Sequence, residues 1–242
     1  MDSSELFVSE VRISGGLKED AYYAKIPAVQ CLEKNGLLFD SKVTFLVGEN
    51  GSGKSTILEA IAIAAGFNPE GGTKNYSFST KDSYSDLYRQ IVLVRRKQYK
   101  YGYFLRAESF YNVATMEEEY ARNSIRPSRE YHQRSHGEAF LELAKDFLPN
   151  GLYLLDEPEA ALSPSRLMSL MYLIHQLEDT CQFIISTHSP ILMSYPDAQV
   201  LELNEEGISS IDYRQSENYQ LTRQFLLDPD KMFAALFEEE KK

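Results

Sequence analysis

The sequence predicts an α/β fold in which a mostly parallel central sheet is flanked by helices. Two observations carry this prediction: apolar strands alternate with helical stretches in the second half, and a glycine-rich loop near residue 50 joins an apolar strand to a helix. Strands that alternate with helices are typical of a parallel sheet, because each parallel connection needs a crossover. We also expect an N-terminal antiparallel β portion and a helical subdomain.

The first elements follow from local patterns. Residues 6–13 predict a strand, and the continuous apolar run 43–47 is typical of a strand that is buried on both faces. Residues 55–66 have apolar side chains at helical spacing and end at Gly66, which favours a helix C-terminus.

The later elements include a pair of strands and an alternating region. The runs IVLVRR and YGYFLRA, separated by polar residues, predict a β-hairpin, and residues 112–147 predict mostly helix with a break at Pro127. The closing half predicts a strand, a helix and two further strands, over residues 151–156, 163–179, 182–186 and 199–203. We expect one domain over residues 1–242, with the hairpin and helical subdomain at about 67–147.

The composition argues against a fibrous or a disordered protein. The chain is 43% hydrophobic and 25% charged, as ordinary globular proteins are. Its two cysteines predict neither a disulfide framework nor a zinc site, and Cys181 is expected to be a small buried residue. The sequence contains no apolar run of about 18 residues and no signal-peptide pattern, so we expect no membrane insertion and a cytoplasmic location.

Residues 48–55 carry the strongest motif. Their sequence, GENGSGKS, matches G-x-x-x-x-G-K-[ST] between a predicted strand and helix, the context that a phosphate-binding P-loop requires. Backbone N–H groups of such a loop surround the β- and γ-phosphates; Lys54 would contact their oxygens and Ser55 would ligate Mg²⁺. The predicted ATP-binding residues of this segment are Gly48, Glu49, Asn50, Gly51, Ser52, Gly53, Lys54, Ser55 and Thr56.

Polar residues follow two further predicted strands. Asp156, at the end of one strand, is predicted to hold Mg²⁺ together with Ser55. Glu157 is predicted to orient and deprotonate the attacking water. His188, after the next strand, is expected to contact the γ-phosphate or the nucleophile. Lys54, Glu157 and His188 are therefore the predicted catalytic residues.

In order and spacing, these motifs resemble the ABC-type ATPases. Ser135-His136-Gly137-Glu138 lies 21 residues before Asp156 and is similar to the ABC signature, whose helix start binds the γ-phosphate held by the other subunit. The resemblance implies a homodimer that sandwiches ATP between the P-loop of one subunit and Ser135, Gly137 and Glu138 of its partner. Without it, SHGE predicts only a helix N-cap. More narrowly, about residues 40–203 resemble small bacterial ABC-type predicted ATPases.

The sequence also departs from the ABC pattern. The signature is SHGE rather than LSGGQ. The SHGE form resembles the SMC-like and predicted-ATPase branches more than the transporter cassettes. No glutamine stands at the Q-loop, and Glu108 is predicted there as a third metal ligand. The aromatic residue that stacks on adenine is left open between Tyr22 and Tyr23.

The predicted function is ATP hydrolysis that drives a separate protein effector or a nucleic-acid transaction. Only 81 residues separate Lys54 from Ser135, without heptads, so the sequence predicts no coiled-coil arm. The alternatives are the nucleotide-binding subunit of a membrane transporter and a non-catalytic nucleotide sensor.

Nucleic acid is considered because of one basic stretch. The net charge of −11 argues against a uniformly basic binder, yet residues 81–135 hold 11 Lys and Arg against 7 Asp and Glu. Tyr99, Tyr101 and Tyr103 alternate with basic residues in this stretch, which predicts either a nucleic-acid surface or a solvated hairpin face.

Overall fold

The computed structural model describes residues 5–73, 84–107 and 136–238, and its described strands form two sheets. The strands are β1 Val8–Ile13, β2 Leu37–Leu38, β3 Val43–Val47, β4 Ile91–Arg95, β5 Tyr101–Arg106, β6 Gly151–Asp156, β7 Gln182–Ser186, β8 Gln199–Asn204 and β9 Gly207–Ser210.

The larger sheet has the strand order β5-β6-β7-β3-β8-β9. Its first five strands pair in parallel, and β9 pairs antiparallel to β8. The smaller sheet, in the order β2-β1-β4, is antiparallel. The predicted α/β fold, with its mostly parallel sheet and N-terminal antiparallel portion, is therefore confirmed.

Helices cover the sheets. They are α1 Pro27–Asn35, α2 Lys54–Ala65, α3 His136–Ala144, α4 Pro164–Leu177, α5 Pro190–Met193, α6 Glu217–Leu227 and α7 Pro229–Glu238. Within the described ranges, none of the helices is long and apolar enough to cross a membrane. Of the region predicted as hairpin and helical subdomain, about residues 67–147, the segments 74–83 and 108–135 lie outside the described residues. The single-domain organisation stays a prediction.

Two apolar cores lie on opposite faces of the parallel sheet. Alternate side chains of β3 divide between them: Phe45 packs with α3, α4 and α5, whereas Leu46 packs with α1, α2 and the antiparallel sheet. All residues of β3, β6 and β7 are buried, and burial on both faces explains why consecutive side chains in the middle of these strands are apolar. Cys181 is buried in the first core, as predicted.

The predicted hairpin of β4 and β5 is wrong. Although only residues 96–100 separate them, β4 pairs antiparallel with β1 and β5 pairs in parallel with β6. Consecutive side chains of β5, at Tyr103, Phe104 and Leu105, are all buried. A strand apolar on both faces is stable between two cores, and a two-stranded hairpin would leave one of its faces in water.

The two sheets are joined by a buried glutamine side chain. Gln182, at the start of β7, accepts hydrogen bonds at Oε1 from the backbone N–H groups of Phe7 (3.0 Å) and Val8 (2.9 Å). Its Nε2 donates to the carbonyl of Val8 at 2.8 Å. The side-chain amide thus acts as a peptide group that extends β7 onto β1.

Helices α6 and α7 form a C-terminal helical pair that contributes little to either core. No residue of α6 is buried. The rings of Phe225 and Phe233 meet edge to face at 5.5 Å, which joins the two helices. Large exposed apolar side chains remain on the pair, at Leu221, Phe225, Leu226, Leu227, Phe233, Leu236 and Phe237.

Candidate functional site

The loop between β3 and α2 needs glycine at both of its ends. Gly48 has φ 140°, and a Cβ there would lie 2.2 Å from the carbonyl oxygen of Leu203. Gly53, the N-cap of α2, has φ 101°, and a Cβ would meet the side chain of Ile26 at 2.8 Å. Neither position accepts another residue without rearrangement. The two glycines and the residues packed against them therefore define the path of the loop.

Lys54 lies inside this loop and is only 3% exposed. Its Nζ donates to the carbonyls of Gly48 (3.0 Å) and Glu49 (2.9 Å). Burial lowers the pKa of Lys54, while the nearby carboxylates of Glu157 and Asp156 raise it in part. The buried ammonium thus places a positive charge within the loop that the sequence predicts to bind phosphate.

The other predicted residues of the loop are placed as follows. Glu49, Asn50 and Gly51 form its exposed tip, and Thr56 is half-buried in the first turn of α2. The Ser52 Oγ is buried and has no hydrogen-bond partner within the described residues.

Asp156 is the centre of an oxygen-rich cluster. Its Oδ1 accepts hydrogen bonds from Ser55 Oγ at 2.9 Å and from Ser186 Oγ at 2.6 Å. The cluster forms because β3, β6 and β7 are parallel and end at one edge of the sheet. Hydroxyl and carboxylate oxygens are the ligands that Mg²⁺ prefers, so Ser55 and Asp156 fit a magnesium ion.

Arg106, at the end of β5, is a residue of this site that the sequence did not reveal. Its Nη1 lies 2.6 Å from Glu59 Oε2, and its Nε lies 3.5 Å from Asp156 Oδ2. Burial raises the pKa of Glu59, and the charge of Arg106 opposes that shift. The guanidinium therefore bridges a carboxylate of α2 and the strand-end acid of β6.

Glu157 and His188 face one another beside the cluster. Glu157 adopts a left-handed conformation, with φ 49° and ψ 54°, and its N–H donates to the carbonyl of Ser186 at 3.0 Å. Its Oε1 lies 3.5 Å from His188 Nε2. A non-glycine residue held in this region stores strain, which is frequent at functional sites.

Glu159 holds the loop that carries His188. Its Oε1 accepts hydrogen bonds from Thr187 Oγ1 at 2.8 Å and from the backbone N–H of His188. The sequence marks this residue only as one of several acids after β6, so its role was not predicted. It connects the chain after β6 to the chain after β7.

The signature residues are only partly described. Ser135 and the proposed metal ligand Glu108 lie outside the described residues. Gly137 is in the first turn of α3, where a Cβ would meet Arg166 Nη1 at 2.6 Å and the Ala161 carbonyl at 2.9 Å. Glu138 pairs with Arg166 at 2.9 Å. These contacts place the start of α3 against Ala161, after β6, and against the first turn of α4.

The two candidates for adenine stacking differ in exposure. Tyr23 is 1% exposed, and its hydroxyl donates to Asp86 at 2.8 Å. Burial, assisted by Asp86, raises the pKa of Tyr23 to about 12. Tyr22 is 63% exposed and lies on the segment leading to Ile26, which borders Gly53. Of the pair, only Tyr22 has a ring face open to a ligand.

Tyr99, Tyr101 and Tyr103 of the basic stretch do not form a common exposed surface. Tyr103 is buried in the core, and Tyr99 stacks on Phe67 with its hydroxyl bonded to the carbonyl of Ala65. Tyr101 is the exposed member, with Lys100 over its ring. Two of the three rings are therefore used in packing and are not arranged to stack on bases.

Comparisons with known families identify two segments. Residues 25–132 match a model described as "AAA domain", and residues 139–194 match one described as "AAA domain, putative AbiEii toxin, Type IV TA system". The chain has no match among curated proteins.

Several solved structures are similar to this chain at low sequence identity. One is cbiO1 from Clostridium perfringens, part of the ABC transporter complex cbiONQ, at 15% identity and a TM-score of 0.51, with 96% of this chain and 99% of that one covered. Another is the SMC head domain from Thermotoga maritima, at 15% identity and a TM-score of 0.45, with 85% of this chain and 98% of that one covered. A third is an ATP-binding subunit of an ABC transporter, at 18% identity and a TM-score of 0.46, with 95% of this chain and 99% of that one covered.

Proposed function

We propose that this chain, an ABC-like P-loop ATPase, binds Mg·ATP and hydrolyses it to ADP and phosphate. The observation that carries the proposal is the convergence of Ser55 and Ser186 on Asp156, beside the buried ammonium of Lys54. This combination places oxygen ligands and a positive charge at one edge of the sheet, where a triphosphate and its metal ion need both.

The binding roles follow from that geometry. Lys54 would exchange its two carbonyl partners, Gly48 and Glu49, for phosphate oxygens, since an ammonium group binds an anionic oxygen more strongly than a neutral carbonyl. Ser55 and Asp156 would hold Mg²⁺, which neutralises charge on the phosphates when bound. Tyr22 would stack on the adenine.

The catalytic roles fall on Glu157 and His188. The carboxylate of Glu157 lies 3.5 Å from His188, and there it would orient and deprotonate a water molecule. His188 Nε2 would donate a hydrogen bond to the γ-phosphate or to the nucleophile. Glu159 connects the two loops through its hydrogen bond with Thr187.

A homodimer completes the proposed site. Ser135, Gly137 and Glu138 would contact the γ-phosphate that is bound to the P-loop of the partner subunit, and Glu108 would stand near the metal. This part of the proposal is supported by the similarity of SHGE to the ABC signature and by the position of Gly137 at the start of α3.

We further propose that hydrolysis drives a protein effector rather than a permease or a nucleic acid. The variant signature and the missing Q-loop glutamine differ from transporter cassettes. The packed rings of Tyr99 and Tyr103 count against base stacking. Filter binding to single-stranded DNA and RNA across salt concentrations checks the second point, and tight binding that weakens with salt would reverse the choice of partner.

The central experiment compares Glu157→Gln with the wild-type chain. We expect ATP affinity within about threefold of wild type, a turnover reduced by about 100-fold or more, and a dimer in Mg·ATP by light scattering. Glu205→Gln, an exposed change of the same kind in the turn before β9, is the control. Lys54→Ala should abolish ATP binding, and Ser135→Arg should preserve binding but prevent dimerisation. A wild-type chain that neither binds nor hydrolyses millimolar Mg·ATP would refute the proposal.

A further inference from the structure

His188 has a different neighbour at each ring nitrogen. Nε2 lies 3.5 Å from Glu157 Oε1. Nδ1 lies 3.4 Å from the Nδ2 of Asn218, a residue in the first turn of α6. The Nε2 atom is shielded from solvent and makes no hydrogen bond within the described residues. One nitrogen thus contacts the C-terminal helical pair, and the other faces the proposed catalytic base.

The contact with Asn218 favours one position for the proton of the neutral imidazole. An amide nitrogen can only donate a hydrogen bond, so Nδ1 must accept. A neutral imidazole carries a single N–H, which is then on Nε2. We propose that Asn218 is a positioning residue that holds His188 in its Nε2–H tautomer, and that α6 thereby controls hydrolysis.

Asn218 is held in place by the cap of its own helix. Ser216, the N-cap of α6, is buried; its Oγ donates to the carbonyl of Tyr213 at 2.8 Å and lies 3.1 Å from the sulfur of Met193. Met193 ends α5, which begins two residues after His188. The start of α6 and the loop of His188 are therefore attached to the same short helix.

The tautomer matters because the surroundings of Nε2 are anionic. An Nε2–H group can donate to the carboxylate of Glu157 or to a phosphate oxygen. The opposite tautomer would present a lone pair to these oxygens, which is repulsive. The catalytic part of this inference rests on the proposed function, whereas the tautomer itself does not.

The sharpest test is Asn218→Asp, which replaces a donor by an acceptor of the same size. An aspartate at this position accepts from Nδ1–H and favours the opposite tautomer. Gln224→Glu is the matched control, since it adds the same charge to an exposed position of α6. A merely structural role for Asn218 would leave the tautomer unchanged.

Nuclear magnetic resonance reads the tautomer directly. In full-length protein labelled with ¹⁵N-histidine, at a pH where the ring is neutral, long-range ¹H–¹⁵N spectra distinguish the two forms. His188→Gln identifies the signal among the four histidines. We expect Nε2–H in the wild type and in Gln224→Glu, and Nδ1–H in Asn218→Asp. An Nδ1–H wild type, or an unchanged Asn218→Asp spectrum, would overturn the inference.

Kinetics test the catalytic part. We expect Asn218→Asp to lower kcat by about 10- to 100-fold with KM within about threefold, because its effect falls on a catalytic group and not on binding. Unchanged kcat in a variant whose tautomer has switched would reject control of hydrolysis by α6. A wild-type chain without turnover would instead refute the proposed function, and the spectra would then decide on the tautomer alone.

Discussion

Replacement of Arg106 by methionine is expected to destabilise the fold by about 3–5 kcal/mol at pH 7, the cost of removing one partner of a buried ion pair. Arg106 lies 2.6 Å from Glu59 and 3.5 Å from Asp156, and the side chains of Glu59 and Asp156 are only 11% and 8% exposed. Methionine retains the unbranched apolar stem of arginine, so the main loss is the charged guanidinium group. Both carboxylates would remain buried without this cation.

The loss should depend on pH in a defined direction. Burial raises the pKa of Glu59 above its ordinary value of 4.5, and Arg106 opposes this shift. In Arg106→Met the pKa of Glu59 should rise further. A carboxyl group whose pKa is higher in the folded state favours folding when protonated, and this contribution is lost as pH rises through the folded pKa. The deficit should therefore be smaller at pH 5 than at pH 7.5.

Urea unfolding without nucleotide, followed by circular dichroism between pH 5 and 7.5, measures these differences. Glu59→Gln in the Arg106→Met background should restore about half of the lost stability or more, because it removes one uncompensated charge. Arg12→Met, which breaks an exposed pair with Glu10, should change stability by less than about 1 kcal/mol. A cost for Arg106→Met below about 1 kcal/mol, or a double variant no more stable than the single one, would refute this reasoning.

Three further predictions concern the loop, the junction of the sheets and the ligand. Gly48→Ala should reduce stability by about 1–3 kcal/mol and weaken ATP binding, because its Cβ would overlap the Leu203 carbonyl; unchanged calorimetric affinity would contradict this. Gln182→Leu should cost about 3 kcal/mol in urea unfolding, since it leaves two N–H groups and the Val8 carbonyl unpaired; a loss within error of zero would disprove it. Tyr22→Ala should raise the Kd for ATP about tenfold, and an equal Kd would exclude stacking at this residue.

The core of the candidate site could be predicted from the sequence because its signals are local. GENGSGKS lies directly after β3, and Asp156 and His188 follow strands that the apolar runs identify. Parallel strands end at one edge, so the three segments were expected to meet there. The structure brings Lys54, Ser55 and Asp156 together as the pattern indicates, while their roles remain part of the proposed function.

The contacts between distant segments could not be predicted in the same way. Glu59, Arg106 and Asp156 belong to three separate elements, and nothing in the local sequence indicates that they meet. The partners of β4 and β5 were also misassigned, because closeness in sequence favours a hairpin while burial on both faces decides the pairing. Asn218 lies 30 residues after His188 and has no pattern that connects the two.

The sparse attachment of α6 and α7 has a consequence for solvent access to the backbone. Segments with few buried contacts open at a small fraction of the global free energy of unfolding, so their amides exchange with deuterium long before those of a central strand. The helical pair should thus exchange within the first time points, apart from the amides nearest Ser216, while β3 remains protonated for the longest times. Slower exchange along Glu217–Glu238 would then report directly on whatever engages these two helices.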